Sequence, residues 1–146
     1  MWAHYADDHH GICVGFRFVP HLFASDDLAG YTPYQVIYDD ARPVVRAAGD
    51  AAEAGVTMVS VKSTDWAYER EWRIVHFNGY GVWRLRDQFM AEIVVGEQAP
   101  SDLVDEVAHL VSGYTRFRPA ILRARCSEDA FVVEADVIDP GIPWQP

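Results

Sequence analysis

The chain has little cysteine, little positive charge and no long apolar run, and each shortage excludes something. Its two cysteines, Cys13 and Cys126, lie far apart in "GICVGF" and "LRARCSE". That pattern argues against a disulfide framework, and buried reduced thiols are expected instead. Lysine and arginine number 12 against 22 aspartates and glutamates, a net charge of −10 with a pI near 4.8. Such a balance repels phosphate backbones and anionic lipid at long range, which disfavours general nucleic-acid or membrane binding. No apolar run approaches the ~20 residues of a membrane helix. The opening "MWAHYADDHHG" has no basic region followed by an apolar segment, so no signal peptide is expected and the expected location is cytoplasmic. Arg116, Arg118, Arg123 and Arg125 crowd "TRFRPAILRAR". Without a glycine-rich loop they read as scattered strand-surface charges rather than a phosphate site.

What is present is apolar and aromatic: 50% hydrophobic and 13% aromatic residues, more than a disordered acidic chain carries. A length of 146 residues suits one domain, 1–146, with an irregular proline-rich tail over 139–146. There is no internal repeat and no linker-like change of composition.

The coarse pattern is strand-rich. "GICVGFRFV" (11–19) predicts a strand, "HLFASDDLAGYTP" a loop and "YQVIY" (34–38) a short strand. "ARPVVRAAGDAAEAG" (41–55) is Ala-rich and closes on Gly55, which predicts a helix with a glycine C-cap. "VTMVSVK" (56–62) reads as a strand. Thr64 and Asp65 suit the cap of one helical turn, and "EWRIVHF" (71–77) reads as a strand ending at the turn "NGYG". "AEIVVG" (91–96) has the unbroken apolar run of a buried central strand. In 99–113 a helix is expected with Ser101 as N-cap and Leu103, Val107, Leu110 and Val111 on one face. "AILRARC" and "AFVVEADVI" should pair as a hairpin around "SED". The sum predicts an α+β fold, a mixed or mostly antiparallel sheet with two main helices.

Two blocks carry a resemblance. One is Met1, Trp2, His4, Tyr5 and Ala6 followed by Gly11, Cys13, Gly15 and Phe16. The other is Trp66, Tyr68, Glu69, Glu71, Trp72 and Arg73. Together they resemble the bacterial domain-of-unknown-function family 2971, over most of residues 1 to about 125. Typical members carry an Asn-Asp-Pro segment ahead of Met-Trp, so the resemblance implies the C-terminal part of such a protein or a short relative. It implies a fold and no reaction.

The chemistry centres on "YEREWR". If 69–73 is extended, Glu69, Glu71 and Arg73 share one face, and Arg70, Trp72 and Ile74 take the other. Two carboxylates on one face repel unless a cation lies between them, and Arg73 can supply it, which gives a structural account. A catalytic account also stands. Glu69 and Glu71 are similar to the Glu-x-Glu element of ADP-ribosyltransferases, where the second Glu binds the nicotinamide ribose and the first orients the acceptor. The cofactor would then be NAD, with Trp66, Tyr68 or Trp72 against the ring and His4 and Tyr5 as stand-ins for residues of an early strand. The alternative is a non-catalytic binding or assembly module in which the same residues are structural ion pairs. The cleft is expected between the "MWAHYADDHHG" and "YEREWR" segments.

His4, His9 and His10 beside Asp7 and Asp8 mix types that divalent metals accept, yet no ligand spacing of a known metal motif occurs, so a polar turn is expected there. That reading packs His4 and Tyr5 into the fold. Cys13 reads as a structural thiol. His21, His76 and His109 read as single surface or strand-end residues, and Trp2, Trp66, Trp72 and Trp83 as core by default. Edge strands needing cover predict a homodimer or a partner chain.

Overall fold

Valine and isoleucine in Met90–Val95 form the strand around which the larger part of the fold is built. The computed structural model describes residues 2–17, 31–45, 51–76, 81–82 and 87–143. The chain divides into two units, residues 1–18 with 84–146, and residues 19–83.

In the first unit a short helix α1 (Trp2–Tyr5) precedes β1 (Ile12–Phe16). A four-stranded sheet follows in the order β1-β6-β7-β8, with β6 at Met90–Val95, β7 at Ala120–Cys126 and β8 at Val133–Asp139. β1 runs antiparallel to β6, β6 parallel to β7, and β7 antiparallel to β8. The parallel pair requires a crossover, which a helix over Ser101–Val111 supplies. This is the mixed, mostly antiparallel α+β arrangement that the pattern predicts, and "AEIVVG" is indeed a central strand.

The core lies between the helix and one sheet face: Ile93, Val95, Ala99, Val107, Val111 and Ile121, with Leu103, Val104, Ala108 and Tyr114 packed on it. Val107 and Val111 stand one turn apart, and Leu103 one turn earlier. Leu110 falls off that stripe and is 77% exposed, so its predicted place on the buried face is wrong. The N-cap is Pro100, in an extended conformation, and Ser101 is the first helical residue rather than the cap. Arg123, opposite Val95, steadies the turn before the helix by donating from Nη2 to the carbonyls of Glu97 (2.8 Å) and Ala99 (2.7 Å).

The N-terminal segment is pinned to the end of β6. Gly96 N–H donates to the Gly11 carbonyl at 2.9 Å, and Gln98 N–H to the His9 carbonyl at 3.1 Å. A Cβ on Gly96 would meet the His9 carbonyl oxygen at 2.0 Å, so only glycine permits this approach. Asp7, Asp8 and His9 all have positive φ, a costly left-handed run that the pinning sustains.

In the second unit β2 (Tyr31–Gln35) pairs antiparallel with β5 (Trp72–His76), and β3 (Ile37–Tyr38) pairs parallel with β4 (Val61–Lys62). A helix, α2, covers Ala51–Ser60, and a 3-10 helix covers Thr64–Glu69. With α2 in place, the crossover helix of the first unit is α3.

Two local expectations fail at α2. Gly55 is inside a helix rather than closing one, and "VTMVS" is helical rather than extended. Val56, Val59 and Ser60 turn inward at i, i+3 and i+4 while Met58 is exposed, which is helical spacing. The modest helix penalty of Val and Thr is overridden by the alanine-rich first turn and by a tertiary cap on the Val59 carbonyl. Residues 42–45 are irregular. Tyr31, Thr32 and Pro33, expected as the end of the loop 21–33, are the start of β2; the rest of that loop, residues 46–50, the "NGY" turn residues, His21, Trp83 and the last three residues lie outside those described.

Alternation then sorts β2, β3 and β5 into two faces. Val36 is buried, with Tyr34, Tyr38, Arg73 and Val75 half-buried on the same side, while Gln35, Ile37, Trp72 and Ile74 are exposed on the other. The charged cluster occupies the inner side.

Candidate functional site: a lysine between two glutamates

The turn from the 3-10 helix into β5 is what brings Glu69 and Glu71 together. The helix starts at Ser63, whose hydroxyl accepts the Asp65 N–H at 3.4 Å, and ends at Arg70, in the left-handed region with φ 47°. Residues 69–73 are therefore not one extended segment, and strand begins only at Trp72. The chain reverses sharply at Arg70, and both glutamates turn to the same cation.

That cation is Lys62, the only lysine in the chain. Its Nζ lies 2.5 Å from Glu69 Oε2 and 3.1 Å from Glu71 Oε2. It also sits 4.8 Å from the centre of the Trp66 ring, in cation–π range. Arg73 completes the group, with Nε 2.6 Å from Glu71 Oε1 and Nη2 3.1 Å from Glu71 Oε2. Its Nη1 donates to the Val59 carbonyl at the end of α2. The Glu69 side chain is only 7% exposed, and those of Lys62, Glu71 and Arg73 are partly buried.

The backbone of Glu71 is fixed from both directions. Its N–H donates to the Tyr38 hydroxyl at 2.8 Å, and its carbonyl accepts the Val36 N–H at 3.0 Å. Parallel pairing of β3 with β4 sets Tyr38 beside Lys62. Asp40 extends the arrangement by accepting the Thr64 hydroxyl at 2.5 Å and the Thr64 N–H at 3.3 Å.

Protonation follows from these contacts. Arg73 holds the Glu71 carboxyl below its ordinary range, against the cost of partial burial and with help from Lys62. The hydrogen bond to Glu69 holds Lys62 well above the ordinary lysine range, again against desolvation, and Glu71 adds to it. Glu71 raises Arg73 further. Lys62, Glu71 and Arg73 are charged at neutral pH, and the two cations face the two glutamates.

Of the residues singled out from the sequence, Glu69, Glu71, Arg73 and Trp66 meet in this cluster. Tyr68 is exposed beside it, its ring 6.1 Å from that of Trp66. Trp72 projects from the face of β5 opposite Arg73 and is 60% exposed. Neither Trp66 nor Trp72 is core, contrary to the default reading. His4 and Tyr5 belong to the other unit and are exposed, with His4 edge-on to Tyr5, so they do not pack inward as expected. Sequence reasoning missed Lys62 and Tyr38. The available signal was electrostatic: two carboxylates brought together need a cation, and "VSVK" holds the one lysine.

Elsewhere, the histidines are used locally. His10 Nδ1–H donates to the carbonyls of Asp7 (2.9 Å) and Asp8 (3.0 Å), and His9 stacks on Trp2. Among the described residues no group of His, Cys, Asp and Glu could hold a metal ion. Cys13 is half-buried, but Cys126 is exposed, not a buried thiol. Its hydrogen bond to Glu97 pushes the thiol pKa up, which lowers its nucleophilicity at neutral pH. The arginines of 118–125 are engaged: Arg118 with Asp139, Arg125 with Glu134 and Asp136, and Arg123 with backbone. No helix among the described residues is long and apolar enough to cross a membrane.

These features define an α+β protein whose family-marking motif is an ion-pair cluster. The chain belongs to the family described as protein of unknown function (DUF2971), whose model matches residues 1–74. The match takes in both sequence blocks and the whole Lys62–Arg73 cluster. No curated protein and no solved structure matches the chain.

Proposed function

We propose that the chain is a non-catalytic binding or assembly module in which Glu69 and Glu71 are structural ion pairs. The observation that carries this reading is the position of Lys62 Nζ, within 3.1 Å of a carboxylate oxygen of each glutamate. An NAD-using transferase needs its second glutamate to present a carboxylate to the nicotinamide ribose. Here both oxygens of Glu71 accept from Arg73, and one also takes Lys62. Opening that arrangement for a ribose hydroxyl would leave the partly buried Arg73 guanidinium with the Val59 carbonyl alone and Lys62 with Glu69 alone, a cost that a neutral hydroxyl repays poorly. The cluster instead ties the end of α2, the 3-10 helix and β5 to one another, and it leaves aromatic side chains facing solvent.

Incubation with NAD labelled in its adenylate half tests this. The reading expects no transfer and no nicotinamide release from the wild-type chain. Transfer by the wild type that disappears in Glu71→Gln, with the fold retained, would establish the transferase instead.

A further inference from the structure

β8 ends the four-stranded sheet, and among the described residues only β7 pairs with it. Six of its seven residues are exposed, so the strand is open on both faces. Its register with β7 fixes which backbone groups the free edge presents. Ser127 N–H donates to the Val132 carbonyl at 3.0 Å, and residues of an antiparallel pair turn alternately toward their partner and away. Glu134 and Asp136 therefore turn their backbone groups toward β7, and Val133, Ala135 and Val137 turn theirs outward. The side chains alternate too. Val133, Ala135 and Val137 share one face with their partners Cys126, Ala124 and Leu122, while Glu134 and Asp136 share the other, where Arg125 pairs with both.

The five residues Val133-Glu134-Ala135-Asp136-Val137 have the same chemical order in either direction: valine, acid, alanine, acid, valine. Pairing with β7 stays regular over these five and shifts only beyond Val137. No lysine or proline lies within β8 to block an incoming strand.

We propose that β8 is the interface of a homodimer, joined antiparallel to the same strand of a second copy about a two-fold axis at Ala135. A strand joins its own copy in this way only when its outward residues fall symmetrically about the axis, and here they do. Val133 then faces Val137 of the partner subunit, and each outward N–H meets an outward carbonyl. Phe131, Val132 and Ile138 lie exposed at the two ends of the same stretch. With the valines they bring the exposed apolar surface of two copies to roughly 1,000 Å2, where specific interfaces begin.

Charge opposes the join and sets its salt dependence. Glu134 faces Asp136 of the partner subunit, each already shared with an Arg125, while Arg123 is taken up by the carbonyls of Glu97 and Ala99. Arg118 is paired with Asp139, and Glu128 and Asp129 in the turn add further negative charge. Two copies at −10 also repel at long range, so added salt tightens the dimer. The join uses the first unit alone and does not depend on whether Glu71 is catalytic.

Sedimentation velocity of the full chain over graded concentration and salt tests this. A monomer–dimer equilibrium is expected, tighter at higher salt. Ala135→Pro deletes one of the outward N–H groups, and Val137→Lys sets a charge at an exposed edge position. Each should raise the dimer Kd about tenfold or more with far-UV circular dichroism unchanged. A chain that stays monomeric up to its solubility limit overturns the proposal and leaves the edge to a strand of other origin. A dimer of equal affinity in both variants, or one that salt dissociates, overturns it as well, because the copies then meet through another surface.

Discussion

Arg73 holds Glu71 through two nitrogens at once, Nε on one carboxylate oxygen at 2.6 Å and Nη2 on the other at 3.1 Å. The remaining terminal nitrogen of the same guanidinium caps α2 at Val59. A single planar side chain therefore joins a helix end to a strand start. Lysine can reach one of these acceptors but not all three. Arg73→Lys should lower the free energy of unfolding by about 1–2 kcal/mol, read from urea denaturation. A loss within error of zero would mean that the contacts are surface pairs of no consequence.

Acid should weaken the second unit through the same carboxylate. The Glu71 pKa is depressed in the fold below its ordinary 4.5, with Arg73 the largest cause. Its pairing therefore contributes stability that is present above that value and lost as pH falls through the lower folded value. Asp40, lowered by its hydrogen bonds from Thr64, acts in the same direction. Urea midpoints followed from about pH 7 to about pH 3 should fall less steeply for Glu71→Gln than for the wild type. Superimposable slopes would show that Glu71 titrates alike in folded and unfolded chains.

The close approach at Gly96 predicts a contrast between two glycines. A Cβ there meets backbone, the His9 carbonyl oxygen at 2.0 Å, whereas at Gly15 it meets the Glu92 side chain at 2.5 Å. Glu92 is exposed and can move aside; the His9 carbonyl is already bound to Gln98. Gly96→Ala should destabilise by about 1–3 kcal/mol or more and Gly15→Ala by less. Thermal melts of the two variants rank them, and the reverse order would contradict the pinning of the N-terminal segment.

Ile121 is 1% exposed in the core beneath α3. Its replacement by alanine removes three carbons from a packed site and should cost about 2–5 kcal/mol in urea unfolding. A cost under about 1 kcal/mol would place that strand face in contact with water.

The sheet around β6, the helix α3 and the β7–β8 hairpin were legible because their signals are local. An unbroken apolar strand, a helix-period stripe and a short polar turn need no knowledge of distant residues. The segment 41–62 was misread because its outcome is decided from outside. Alternation in "VTMVSVK" favours a strand, yet the Val59 carbonyl is satisfied by Arg73, 14 residues on. The ion-pair account of "YEREWR" was legible in its electrostatics, since two glutamates together demand a cation. The main cation was not, because Lys62 reaches the pair only through the left-handed reversal at Arg70. No spacing rule predicts a left-handed arginine.

The most direct test of the account uses the fact that the chain has one lysine. Its side-chain amine can be followed alone by 15N NMR as pH rises, without assignment. Lys62 clamped between Glu69 and Glu71 should remain protonated above the ordinary lysine value of 10.5, and Glu69→Gln should bring its titration back toward that value. A wild-type amine that titrates at the ordinary value, unmoved by Glu69→Gln and Glu71→Gln, would contradict the clamp and return both carboxylates to candidacy for catalysis.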